Sequence, residues 1–198
     1  MVYPVVEHFY TLQGEGYWAG KPAYFIRLGG CDVGCTWCDT QYSWRKEGWP
    51  KVTPEEILGW VRNTAAVHVV ITGGEPTLHC LDALIAAFRS EGYFTQLETS
   101  GAYPPPTVLP DWITLSPKRF KLPHSAWYAH ARELKVVIHA RSDLDWAEAQ
   151  MRLCRNDVHA FLQPEFYRPE ALGWILEYIK LNPHWRLSLQ WHRYLGIP

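Results

Sequence analysis

Three cysteines, Cys31, Cys35 and Cys38, fall within the short stretch CDVGCTWCDT. They follow an apolar run, Ala23 to Leu28, that ends in Gly29 and Gly30. This order predicts a strand, a free turn and then a loop carrying three thiols. A disulfide would leave one thiol over, and loops this short strain the bond. Three thiolates so close together suit a metal instead. A structural zinc site takes four protein ligands; no fourth Cys or His lies near in the chain, although a distant His could complete one. A cubane iron–sulfur cluster usually takes four cysteines, so three would leave one iron open to a small molecule.

Other polar motifs interrupt apolar runs. Thr11-Leu12-Gln13-Gly14-Glu15-Gly16 sets two glycines around an acid. It reads either as a plain turn or as exposed backbone, an amide and a carboxylate that suit a flat heterocycle. Arg27 sits inside an apolar strand and needs a carboxylate partner, from protein or substrate. In Thr72-Gly73-Gly74-Glu75-Pro76 the glycines allow close approach of a ligand, and the backbone carbonyls and Glu75 could receive an ammonium. Leu97–Gly101 (LETSG), Ser116-Pro117-Lys118 and Gln163-Pro164-Glu165-Phe166 each close a predicted strand. Singly these are ordinary loops; together they place acids, hydroxyls and backbone around a common mouth. The tail, Gln190 to Pro198, is aromatic and apolar, so it is expected to dock and bring His192 and the terminal carboxylate toward that mouth.

The elements that must position these groups alternate. Strands are predicted at 23–28, 67–72, 94–99, 112–116, 133–138, 158–162 and 186–189. A capping box, Thr53-Pro54-Glu55-Glu56, opens a helix to about Arg62; further helices are expected over 78–88, 142–153 and from Pro169. A complete barrel of alternating strands and helices takes about 250 residues, more than this chain's length. The expectation is therefore an α/β fold, an open or partial β/α barrel with few helices, one domain over 1–198, with its site at the carboxyl ends of the strands. A net charge of −1 gives no footprint for nucleic acid, and no apolar run reaches transmembrane length. Without a signal-peptide pattern the expected location is cytoplasmic, where reduced thiols can serve as metal ligands. Cys80 and Cys154 read as packing residues in helical segments.

The spacing Cys31-x-x-x-Cys35-x-x-Cys38, with Trp37 just before the third cysteine, resembles the loop of radical S-adenosylmethionine (SAM) enzymes. With LQGEG, TGGEP, LETSG, LSPK, QPEF and the terminal LQWHRYLGIP, the whole chain is similar to the 7-carboxy-7-deazaguanine synthases, small radical SAM lyases of queuosine precursor synthesis. Many of them carry another residue at Glu165. The resemblance implies a partial barrel and a 4Fe-4S cluster on Cys31, Cys35 and Cys38. It implies SAM held by Trp37, Cys38, Asp39, Gly74, Ser116, Pro117, Lys118 and Gln163 through Phe166. It implies a pterin substrate, 6-carboxy-5,6,7,8-tetrahydropterin, against Leu12, Gln13, Gly14, Arg27, Thr72 and the Pro198 carboxylate, with Glu15, Glu98 and His192 as further contacts. Magnesium would bind Thr40, a flavodoxin or ferredoxin would supply electrons, and the protein would be a homodimer. A radical SAM activase of glycyl-radical enzymes shares the cysteine loop but lacks the LQGEG start. A zinc-binding interaction module is the reading from another class.

Overall fold

Residues 1–198 are all described by the computed structural model. Nine strands form a sheet in the order β3-β1-β2-β4-β5-β6-β7-β8-β9. These are β1 (Tyr3–Leu12), β2 (Pro22–Leu28), β3 (Lys51–Val52), β4 (His68–Gly73), β5 (Phe94–Thr99), β6 (Trp112–Leu115), β7 (Glu133–Ile138), β8 (His159–Pro164) and β9 (Trp185–Leu187). From β2 onward to β9 every pair is parallel, whereas β1 pairs antiparallel with β2 and with β3. β3 and β9 are free edges, so the sheet curls without closing, as the chain length required.

Four helices longer than two turns account for the expected set: α1 (Pro54–Arg62), α2 (Asp82–Ser90), α4 (Asp143–Met151) and α5 (Pro169–Leu181). The capping box at α1 is formed, with Thr53 Oγ1 accepting from Glu56 N at 3.3 Å and the Glu56 carboxylate accepting from Thr53 N at 2.8 Å. After β5 no helix forms, because Pro104-Pro105-Pro106 lack the N–H groups a helix needs. After β6 there is only the short α3 (Trp127–His130). The reading of the sequence missed the length of β1, the two-residue β3 and the terminal α6 (Trp191–Leu195). β3 and α6 are too short to show a period.

Each central strand alternates between two different faces. Outward-facing Ile71, Leu97, Leu115, Leu134, Val136 and Leu162 join a 33-residue apolar core. The residues between them, Gln96, Glu98, Thr114, Glu133, Lys135 and Gln163, are mostly buried and polar, and point into the curl of the sheet. The lumen is thus chemically equipped along its length.

One expectation about placement needs correction. LQGEG does not lie at the carboxyl ends of the parallel strands. β1 runs against them, so residues 13–21 cross the opposite end. There the Trp18 ring packs edge-on against His68, Phe94 and Trp112, which lie at the starts of β4, β5 and β6. The loop plugs one end of the partial barrel and presents Gln13, Gly14 and Glu15 upward as a floor. Cys80, also contrary to expectation, is exposed in the turn before α2; Cys154 is half-buried against the core.

Candidate active site

The cysteine loop leaves β2 through Gly30, whose φ of +102° only glycine adopts readily. Gly30 N donates to Ser43 O at 2.8 Å and Cys31 N to Trp44 O at 3.1 Å, which closes the loop against the 3-10 turn Gln41–Trp44. Cys35 is buried, and Cys31 and Cys38 are half-buried. Burial pushes the Cys31 thiol up and the Cys35 thiol up to about 11, so a metal binding here displaces protons. No three His, Cys, Asp or Glu side chains converge on one ion position. Three thiol donors on one loop at the cleft are the donor set that a cluster with one open iron takes. Lys118 agrees with an anionic guest. Its Nζ is bonded only to Ser116 O and Oγ, at 3.0 and 2.6 Å, and lies 5.3 Å from the Trp37 ring centre. Neither of those partners is a carboxylate, and burial lowers its pKa.

The TGGEP turn braces the cysteine loop as well as lining the cleft. A Cβ on Gly74 would stand 2.5 Å from Gly30 O and 2.8 Å from Cys31 Cβ, and one on Gly73 would stand 2.3 Å from Leu28 O. The glycines let β4 press against the cysteine loop. Glu75 is not available to an ammonium. It is buried, and its carboxylate accepts from Thr77 N (3.0 Å), Thr77 Oγ1, Thr99 Oγ1, Ser100 N (2.9 Å) and Ser100 Oγ. It clamps TGGEP to LETSG.

The floor carries a charged network. Strand register aligns Glu98 with Thr114 and Thr114 with Glu133 on one face. The small Thr114 lets Lys135, two residues on, reach across β6. Lys135 Nζ bonds Glu98 Oε2 at 3.0 Å and also Glu15 Oε2. Gln13 and Gln96 donate to Glu98 Oε1 at 3.3 and 2.8 Å. Burial alone would raise the Glu15 carboxyl, but the adjacent Lys135 ammonium outweighs it and holds Glu15 at about 2. Lys135, despite its burial, is raised by Glu15 and Glu98. Beneath them Glu133 is pushed up to about 7, by burial first and then by the Glu98 charge.

The tail docks by polar contacts. Trp191 N donates to Gly14 O at 3.0 Å. Gln190 Nε2 bridges Glu15 Oε1 (3.0 Å) and Asp39 Oδ2 (2.9 Å). Arg193 Nη2 reaches the same Asp39 oxygen at 3.1 Å, with its guanidinium 4.2 Å from the Phe166 ring centre. Arg27 finds a protein carboxylate, Glu7, through Nε at 2.6 Å; its terminal nitrogens have no protein partner.

One cleft collects nearly every residue singled out in the sequence. The three cysteines, Trp37, Asp39, Thr40, Thr72, Gly74, Ser116 and Lys118 line it, as do Gln163 to Phe166. So do Leu12 to Glu15, Arg27, Glu98, His192 and Pro198. Pro117 is buried and does not. Residues 25–154 match the Radical SAM superfamily. A Synechocystis protein named 7-carboxy-7-deazaguanine synthase is 47% identical, covering 98% of this chain and 93% of its own length. Its Escherichia coli K12 namesake is 34% identical over the whole of both chains. The chain belongs to the 7-carboxy-7-deazaguanine synthase family. The crystal structure of QueE from Escherichia coli superposes with a TM-score of 0.87 at 34% identity, covering 97% of this chain and 95% of that one.

In this family member the sequence did not single out Lys135 or, inside the tail expected to dock, the individual contacts of Gln190 and Arg193. Lys135 carried a signal. Glu133-Leu134-Lys135-Val136 alternates charged and apolar residues in a strand that a buried parallel sheet would make wholly apolar. Gln190 and Arg193 carried none, because their partner Asp39 lies about 150 residues away.

Proposed function

We propose that this chain converts 6-carboxy-5,6,7,8-tetrahydropterin to 7-carboxy-7-deazaguanine, contracting the ring with loss of ammonia. The observation that carries the reading is one continuous cleft with a three-cysteine loop at its mouth and a charged, hydrogen-bonding floor of Gln13, Glu15, Glu98 and Lys135. When bound, the 4Fe-4S cluster on Cys31, Cys35 and Cys38 and the SAM beside it supply the radical chemistry that removes a substrate hydrogen. The chain binds, orients and shields. Trp37, Cys38, Asp39, Gly74, Ser116, Lys118 and the Gln163–Phe166 turn hold SAM, with the Lys118 ammonium toward its anionic part. Pro117 shapes that turn from behind. Leu12, Gln13, Gly14, Arg27, Thr72 and the Pro198 carboxylate hold the pterin, with Glu15, Glu98 and His192 beside it. The free edge of the Arg27 guanidinium suits the substrate carboxylate. The tail from Gln190 closes a single domain over the site and keeps water out.

Thr40, whose Oγ1 lies 3.5 Å from Cys38 Sγ, is in this reading an oxygen ligand of magnesium that also meets the substrate carboxylate. The change Thr40→Ala should weaken the magnesium dependence of turnover; an unchanged dependence removes that role. A flavodoxin- or ferredoxin-like reductant, a homodimer and a cytoplasmic setting complete the reading on the family resemblance. No helix is long and apolar enough to cross a membrane. The deciding experiment is anaerobic incubation with the carboxypterin, SAM and a reductant, followed by mass spectrometry. Appearance of the deazaguanine is expected. SAM cleavage without it would turn the assignment toward another radical SAM substrate.

A further inference from the structure

Lys135 has more donors than the protein uses. An ammonium has three N–H groups. Two go to Glu15 and Glu98, and no third acceptor lies within reach. The side chain is 6% exposed and lines the cleft, so the third N–H is available to a ligand held there. A buried N–H without an acceptor is costly, and a ligand that offers one is favoured. On either side of the ammonium lie carboxylate oxygens with spare lone pairs. Glu15 Oε1 accepts only from Gln190, and Glu98 Oε2 only from Lys135. Gln13 cannot turn to fill the gap, because its Oε1 accepts from Glu15 N at 3.1 Å and its Nε2 donates to Glu98. The floor therefore presents a cationic donor set between two anionic acceptors.

From this we infer that Lys135 is a specificity-determining residue: its third N–H reads a ring carbonyl that stands beside a ring N–H, so the site selects a 2-amino-4-oxo heterocycle over its 2,4-diamino counterpart. The inference rests on the pterin reading above and names the atom that makes it selective. In the diamino ring the carbonyl acceptor becomes an amino donor. That amino group would face the Lys135 ammonium, leaving two donors opposed and no acceptor between them. Shape alone distinguishes the two rings poorly, since the exchanged groups are nearly the same size.

Equilibrium binding tests this without turnover. The probes are pterin-6-carboxylate, which is fully oxidised and not a substrate for hydrogen removal, and 2,4-diaminopteridine-6-carboxylate. Each is titrated anaerobically against the cluster-loaded protein by fluorescence. Wild-type protein should bind the oxo compound at least roughly tenfold more tightly. The Lys135→Met variant should bind both more weakly and lose the preference. Equal affinities in the wild type, or a preference that survives Lys135→Met, would overturn the assignment of Lys135. Binding of neither probe would overturn the pterin reading itself, and the recognition role with it. Because Lys135→Met strands two buried carboxylates, its folding is checked by circular dichroism. Should it not fold, the wild-type comparison decides the matter alone.

Discussion

Glu75 shows how far a residue's role depends on what surrounds it. The sequence offers it as an acid in a glycine turn beside the cofactor loop. The fold instead gives its carboxylate five donors from Thr77, Thr99 and Ser100. Replacing it by Ala strands buried Thr77 and Ser100 N–H groups, which cost about 1–3 kcal/mol each when unpaired. Glu75→Ala should therefore lower the thermal unfolding midpoint by many degrees, read by circular dichroism. A residue that only met the cofactor would leave that midpoint in place. Cys35 behaves in the opposite way. Cys35→Ala removes a small buried side chain, so the strands should remain, but iron content after anaerobic reconstitution should collapse together with SAM cleavage. Full iron loading in that variant would sink the cluster assignment.

Among elements, the end of β4 and the cysteine loop are in close backbone contact. Gly74→Ala would place a methyl 2.5 Å from Gly30 O, a backbone atom with nowhere to go. The loop must shift, so iron loading should fall while the far-ultraviolet spectrum stays near that of the wild type. The tail is held differently. α6 has no buried residue, and Trp191 and Tyr194 are exposed. Its attachment to the cleft is the backbone bond from Trp191 N to Gly14 O together with the shared hydrogen bonding of Gln190 and Arg193 with Glu15 and Asp39. Gln190→Leu should therefore make the last residues quicker to be cut by carboxypeptidase, with little change in the unfolding midpoint. Unaltered cutting would show that the remaining contacts hold the tail by themselves.

For the whole molecule, the polar lumen makes stability depend on pH in two windows of opposite sign. The folded protein holds Glu15 at about 2, below the ordinary 4.5, so its contribution is complete above 4.5 and is lost as pH falls toward 2. That share is on the order of 3 kcal/mol. Glu133 is pushed up to about 7, so its contribution is complete below 4.5 and is lost as pH rises through 7. The unfolding midpoint should be highest near 4.5 as far as these two groups decide it. Glu133→Gln should flatten the upper slope and spare the lower one; a slope between 4.5 and 7 that survives this change would assign it to other groups.

What the sequence by itself determined is whatever adjacency along the chain can decide. Cys31, Cys35 and Cys38 stay near one another in any fold because seven residues of chain span at most roughly 25 Å, so the iron–sulfur reading needed no coordinates. The capping box at Thr53 and the proline break after β5 are equally local. Even the open barrel followed from length and from the alternation of strands with too few helices. Tertiary structure decided which groups meet across the lumen. Glu15 and Lys135 are 120 residues apart, and Asp39 and Gln190 are 151 apart. Their contact depends on the register of the parallel strands and on an antiparallel first strand that brings LQGEG in from the far end. Register is set by the packing of the whole sheet and its helices, and a slip of one residue would turn Glu98 and Lys135 out of the cleft and into the apolar core.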